Sequence, residues 1–320
     1  MAPKQEHLTL LAEVAMLYYE KKMRQSEIAA ILDVSRSTVS RLLEEALREK
    51  VVEITINYPW QSSAELEAQL EERFHLKTAR VLIADYKDDQ QMLEGLGSLA
   101  ARYLTSILRD DTTIGVSFGK TIYHTIKAFR VEPSPQRKII QIGGAGNFDN
   151  LAIDAVGLVQ LLADTIGGAR HYLHVPMIVE SEAVRNALMN EPAVRKTLEL
   201  ASQADIILIG IGGTGPDLEL VNPAYQVVAE PTDKAEPGYA IGAICGQIFD
   251  VRGEPLDIDL NKRVVGIGLD CLRTGKRVVA VAGGQRKALA ILGALRGGYL
   301  NALITDERAA RTILEADRKV

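Results

Sequence analysis

The chain has 320 residues, 47% of them hydrophobic and only 5% aromatic, with 26 glycines and a formal net charge of −5. That balance points to a soluble α/β protein of more than one domain, rich in tight strand-to-helix turns. The charge excludes a protein that is basic throughout, and the longest apolar runs, 206–211 and 278–282, are strand-length and end in glycines, which excludes membrane spans. Cys245 and Cys271 make no metal-ligand or disulfide pattern, and no N-terminal signal peptide is evident. A cytoplasmic protein with no metal and no cofactor is expected.

In chain order, residues 8–22 read as a supporting helix. Residues 23–43, MRQSEIAAILDVSRSTVSRLL, then follow the spacing of a DNA-reading helix-turn-helix. A first helix over 25–32 puts Ile28, Ala29 and Leu32 on one face, where small Ala29 admits a close helix crossing. Asp33 tolerates the left-handed turn, and Val34 is expected to plug the apolar angle. Ser35 offers an N-cap to a second helix whose Val39, Leu42 and Leu43 face inward. That leaves Arg36, Ser37, Thr38, Ser40 and Arg41 on an outer face for the major groove. By reach, Arg36 and Arg41 suit guanine edges, Ser35, Thr38 and Ser40 suit phosphates, and Ser37 suits either. Arg24 stands where Ser or Thr would cap the first helix. The lost cap costs about 1 kcal/mol but sets a cation beside a phosphate path, in a local basic face with Lys21, Lys22, Arg36 and Arg41.

Alternation over 51–57 predicts a small β-wing, and Pro59 ends it. The boundary falls near Trp60, giving a DNA-binding domain over 1–58 and a larger second domain over 59–320. A charged helix at 64–74 leads to a strand at 78–84. Strands at 113–117, 138–142, 205–210, 278–282 and 302–305 are interspersed with helices at 94–108, 154–166 and 285–295. This order predicts a doubly wound, mostly parallel sheet covered by helices.

Four glycine turns follow strands of that sheet. In the first, Gly119 lets backbone approach an anion while Lys120 and Thr121 add a charge and a hydroxyl at a helix N-terminus, though the spacing is not that of a Walker A loop. The second runs from Gly143 and Gly144 to Asn147. The third, at 210–215, is no dinucleotide fingerprint, because Pro216 and the acids after it do not open a long helix. The fourth holds Gly283, Gly284 and Lys287. Each is weak alone, yet four such turns at strand ends of one parallel sheet point to convergence on a shared ligand.

The chain resembles the SorC-type sugar-binding transcriptional regulators over nearly its whole length. The resemblance rests on QSEIAAILDVSRSTVSRLLEEA, VVEITI, IGVSFGKT, IIQIGG, HYLHVP, ADIILIGIGG, GAICGQIFDVRGEPLD, RVVGIGLDCLR, VVAVAGGQRKALAILGALRGG and LITDERAARTIL, in that order. It implies a winged helix-turn-helix head on a domain related to sugar-phosphate isomerases and deaminases, binding a phosphorylated sugar and assembling as dimers or tetramers. It also implies phosphate contacts at Gly119, Lys120 and Thr121, a second glycine turn at Gly143 and Gly144, and contacts from Gly283 and the late Lys287. Asp270 matches an acidic position able to accept sugar hydroxyls, and Asp154 a polar effector-contacting position. Where some relatives carry a basic residue before the paired glycines, this chain has Ile142, leaving open a monophosphate or a differently charged polyol derivative rather than a bisphosphate.

The leading expectation is a DNA-binding regulator of a carbohydrate catabolic operon, controlled by a phosphorylated sugar or polyol, with operator DNA and a second copy of itself as partners and no catalytic residues. The alternative is an active sugar-phosphate isomerase or deaminase fused to a DNA-binding head. That chemistry needs a positioned acid and base. Asp217 and Glu219 follow the third glycine turn, but no histidine does, and His171 and His174 lie in another segment where a structural role is expected.

Overall fold

The computed structural model describes residues 2–52, 60–146, 151–213, 239–274 and 276–318. The chain divides into two compact units, Met1–Pro59 and Trp60–Val320.

In the first unit the expected helix over 8–22 is two pieces, α1 (Ala2–Ala15) and a π-helical turn (Met16–Glu20), after which Lys22 takes a left-handed φ of 56° and reverses the chain. Then come α2 (Gln25–Ile31) and α3 (Arg36–Arg48). Val14, Ile28, Ala29, Val39 and Leu43 form their shared core. Asp33 adopts the left-handed turn at φ 53°. Val34 does not plug the angle between the helices: it is 38% exposed, and half-buried Leu32 and Leu42 pack there instead. The left-handed turn at Asp33 swings Val34 outward, so the apolar residue two positions back, Leu32, keeps the inward position. The wing expected over 51–57 lies outside the described residues beyond Val52.

The second unit opens with α4 (Ala64–Phe74), capped by Ser63, and β1 (Thr78–Leu82). The next helix, α5 (Asp89–Ile107), starts a turn earlier than periodicity indicated, because the Asp88 carboxylate accepts from the Gln91 amide at 2.8 Å and caps it. There follow β2 (Thr113–Val116), α6 (Lys120–Ala128), β3 (Lys138–Gln141), α7 (Ala155–Ile166) and β4 (Ala169–His171). Two helices with no marked apolar signal, α8 (Glu182–Asn190) and α9 (Pro192–Ser202), come next; Pro192 sits in the first turn of α9, where a missing N–H costs nothing. The remainder is β5 (Ile206–Gly210), β6 (Gly212–Gly213), β7 (Gly242–Ile244), β8 (Gln247–Phe249), α10 (Asp259–Lys262), α11 (Leu269–Leu272), β9 (Arg277–Val281), a 3₁₀ turn (Gln285–Lys287), α12 (Ala288–Arg296), β10 (Ala302–Asp306) and α13 (Glu307–Asp317).

Seven strands form one sheet in the order β1-β10-β9-β5-β2-β3-β4, with every neighbouring pair parallel. Strand alternation supplies two cores. Ile206 and Leu208 join Leu96, Ile122 and Leu158 on one face, while Ile207 and Ile209 join Leu70, Leu198, Ile291 and Ile313 on the other. A small antiparallel sheet, β6-β7-β8, stands beside this layer. Its β7–β8 hairpin turns through Cys245 (φ 49°) and Gly246 (φ 85°), the two positive angles that a two-residue hairpin loop needs to match strand twist.

The paired glycines after β3 serve the fold. Gly143 bridges Gly266, and the Gly144 amide donates to the Val265 carbonyl at 2.9 Å. A Cβ on Gly144 would stand 2.4 Å from the Pro176 carbonyl oxygen, so two backbones cross there at a distance only glycine allows. Gly144→Ala is therefore expected to destabilise the protein by about 1–3 kcal/mol. Gly268→Ala, where nothing lies within 4 Å of the added carbon, should stay within about 0.5 kcal/mol of wild type. Urea unfolding of the two variants checks the contrast.

Candidate effector cavity and DNA-reading helix

The sheet order reverses between β5 and β2: the chain winds outward through β3 and β4 on one side, then through β9 and β10 on the other. Crossover helices diverge at such a point and leave a crevice at the carboxyl ends of the strands. Here it is a cavity of about 420 Å³. Its wall comes from the segments after β2 (Ser117–Thr121), β5 (Gly210–Gly212) and β9 (Gly283–Lys287), from Tyr86 to Leu93 around the start of α5, from the β7–β8 hairpin, and from Arg308 after β10.

Five expected residues meet here: Gly119, Lys120, Thr121, Gly283 and Lys287. Gly119 has φ 124° and nothing within 4 Å of its missing Cβ, so the N-terminus of α6 opens directly onto the cavity. Lys120 is exposed and Thr121 buried in the first turn, where free amides and the helix dipole favour an anion.

Four other expected residues are not on the described wall. Gly143 and Gly144 are occupied by the backbone crossing described above. Asp154 is 4% exposed and its carboxylate accepts from the Gly146 amide at 2.9 Å; its neighbour Ile153 lines the cavity and takes the Gly119 amide at 3.0 Å. Asp270 points to solvent, its side chain 91% exposed and 3.3 Å from Arg273. Asn147, Asp217 and Glu219 lie outside the described residues. His171 stands on edge strand β4 with its buried Nε2 unpartnered, and His174 is exposed; neither lines the cavity.

The organising group, Asp306, lies in LITDERAARTIL but was given no site role by the sequence. This fully buried carboxylate accepts from the Tyr86 hydroxyl at 2.7 Å, the Gly284 amide at 2.5 Å and the Arg308 amide at 3.0 Å. Glycine is required at 283 because a Cβ would sit 2.7 Å from the Asp306 carboxylate. Burial, and then the hydrogen bond to Asp306, push the Tyr86 phenol far above its usual range, so it stays a donor. The Arg308 guanidinium lies over the Tyr86 ring at 4.8 Å. Burial pushes the thiol of Cys245, which also lines the cavity, up to about 12 and keeps it protonated.

In the first unit, Ser35 caps α3: its hydroxyl accepts the Thr38 amide at 3.1 Å and sits 2.7 Å from Ser37 Oγ and 2.8 Å from Thr38 Oγ1. Arg36, Ser37 and Arg41 are exposed, while Thr38 and Ser40 are half-buried. Arg24 makes no side-chain cap, but the Glu27 carboxylate accepts the Arg24 amide at 2.7 Å and recovers half of a capping box. Lys22, Arg24 and Arg36 share a shallow depression with Tyr18 and Tyr19, so cations from both sides of the turn face one concavity.

Residues 58–315 match the family model described as "Putative sugar-binding domain", and residues 12–49 match "Sigma-70, region 4". The transcriptional regulator LsrR of Escherichia coli O139:H28 is 32% identical over 310 residues, covering 96% of this chain and 94% of LsrR. The chain belongs to the SorC family of sugar-binding transcriptional regulators. Other similar members are the deoxyribonucleoside regulator of Bacillus subtilis, 29% identical over 97% of this chain and 98% of that one, and the sorbitol operon regulator of Klebsiella pneumoniae, 27% identical over 97% and 99%. The crystal structure of full-length SorC from K. pneumoniae superimposes with a TM-score of 0.69 at 25% identity over 97% of this chain and 99% of that one. These relatives are named as regulators, so the reading as a DNA-binding, sugar-responsive regulator holds and the enzymatic alternative gains no support.

In this SorC-family chain the Tyr86 hydroxyl is a donor to a buried charge. Tyr86→Phe should cost about 1.5–3 kcal/mol in urea unfolding, while retaining the ring beneath Arg308. A loss under 0.5 kcal/mol would show that the Asp306 clamp does not depend on Tyr86.

Proposed function

We propose that this regulator controls a carbohydrate catabolic operon in the cytoplasm and responds to a phosphorylated sugar or polyol bound at the strand-reversal cavity. The carrying observation is that Gly119, Lys120, Thr121 and Lys287, from turns far apart in sequence, line one crevice at a helix N-terminus. Residues 59–320 act as the effector-binding and oligomerising domain, and residues 1–58 as the DNA-binding domain. In the latter, Arg41 reads a guanine edge. Arg36, grouped with Lys22 and Arg24, sits where it can serve base or phosphate, with Ser35, Ser37, Thr38 and Ser40 along the backbone path. A homodimer or larger assembly presents two reading helices to a symmetric operator, and the effector shifts it between arrangements through differential affinity.

Lys120→Ala and Lys287→Ala should each weaken a phosphorylated effector tenfold to a hundredfold in calorimetry, with ligand-free operator affinity nearly intact. Thr121→Val should cost less, near 1 kcal/mol. Wild-type affinity in both lysine variants would move the anion site elsewhere. Arg41→Ala should remove about 1–3 kcal/mol of discrimination between operator and scrambled DNA in band-shift titrations, with a smaller loss for Arg36→Ala. Equal losses on both DNAs would make these arginines phosphate contacts. Light scattering should find a dimer or larger species at micromolar concentration; a strict monomer unchanged by operator DNA would remove the assembly switch.

A further inference from the structure

Trp60 is the first residue of the second unit, and it is held by two elements that both run into the effector cavity. The chain enters along β1, the edge strand of the large sheet. Ser62 bridges Leu82 in antiparallel register, the Ser63 amide donates to the Val81 carbonyl at 2.9 Å, and the Ile83 amide donates to the Gln61 carbonyl at 3.0 Å. These bonds satisfy backbone groups that an edge strand leaves without partners, and they fix the entry segment to the carboxyl end of β1.

Trp60 itself packs on the core that holds Leu82, Met92 and Leu96. A Cβ on Gly95 would stand 2.7 Å from Leu82 Cδ2 and 3.2 Å from Trp60 Cε3, so both side chains rest on the bare backbone of α5. From there the cavity is close by both routes. Met92, three residues before Gly95 and on the same face of α5, lines it, and so does Tyr86, three residues after Ile83. Tyr86 is tied to Asp306, and Ala84, between Ile83 and Tyr86, donates its amide to the Glu307 carboxylate at 3.1 Å. Covering a strand edge asks only for apolar bulk. The position of Trp60 is more particular, because the two wall segments meet there at the point where the chain arrives from the first unit.

We propose that Trp60 is a positioning residue for the regulator's response: occupancy of the cavity displaces Tyr86 or Met92, their packing shifts Leu82 and the Gly95 turn, and Trp60 passes the change to the chain leading into the DNA-binding unit. The proposal rests on the reading of this cavity as the effector site given above. A close-packed interior transmits such a shift rather than absorbing it. The size of the response is set by the difference in ligand affinity between the two placements of Trp60.

The chain contains a single tryptophan, so its fluorescence reports this position alone. The test uses the full chain with fructose 6-phosphate and glucitol 6-phosphate as probes. A probe that binds in calorimetry should change Trp60 emission with the same midpoint and change operator affinity in band-shift titrations by about fivefold or more. Trp60→Ala should bring that change below about twofold, with probe affinity and ligand-free operator affinity within about threefold of wild type. Trp60→Phe, which keeps a ring on Gly95, should restore part of it. If Trp60→Ala fails to fold, the emission of the unaltered protein and the phenylalanine variant still decide. Full coupling in Trp60→Ala, equal loss of coupling and probe affinity, or a bound probe that moves neither Trp60 emission nor operator affinity overturns the role of Trp60 while the effector cavity stands. No binding by either probe, or binding that Lys120→Ala leaves unchanged, overturns the effector reading of the cavity and the coupling with it.

Discussion

The reversal of winding between β2 and β5 is the constraint from which the second unit's chemistry follows. Helices packed on opposite faces of a parallel sheet diverge where the strand order turns back, which leaves a crevice at the carboxyl ends of β5 and β2. The free amides of α6 then face a cavity. A lysine one residue past the strand-end glycine is presented to that cavity by helix geometry alone, and Lys120 and Thr121 line it without special local structure.

Asp306 converts that opening into a shaped wall. A buried carboxylate is costly unless its oxygens are satisfied, and here the partners come from β1's exit, the β9 turn and the first turn of α13. Satisfying one charge therefore fixes three segments of the rim relative to each other. The cavity wall of the second unit is held in shape by a group that is itself fully buried.

The helix-turn-helix depends on smaller terms. Among the described residues its core is small, with Val14, Ile28, Ala29, Val39 and Leu43 in one cluster and Leu11, Ala15 and Ala46 in another, and its turn is a left-handed Asp33 where glycine would be easier. Caps compensate: Ser35 at the head of α3, and Glu27 reaching back to the Arg24 amide. Arg36 and Arg41 are exposed and make no ion pair among the described residues. A net charge of −5 is compatible with this because the cations are gathered near one turn, while Glu45 is engaged with Arg48 and His7 further along α3.

Local spacing alone determined a good deal: the reading helix and its cap, the alternating strands with two buried faces, and the Gly119-Lys120-Thr121 turn were all legible because each depends on residues within one or two turns of chain. Tertiary structure decided the rest. Val34 reads as a plug and is swung outward by the turn that precedes it; Gly143 and Gly144 read as a ligand turn and are a backbone crossing; Asp154 holds a loop and Asp270 faces solvent. Tyr86, Asp306 and Arg308 were given no site role by the sequence, although the last two lie in LITDERAARTIL, since their meaning lies in contacts made across some 220 positions. Periodicity reports which face of an element a residue occupies, whereas strand order reports which residues share an end of the sheet, and only folding sets that order.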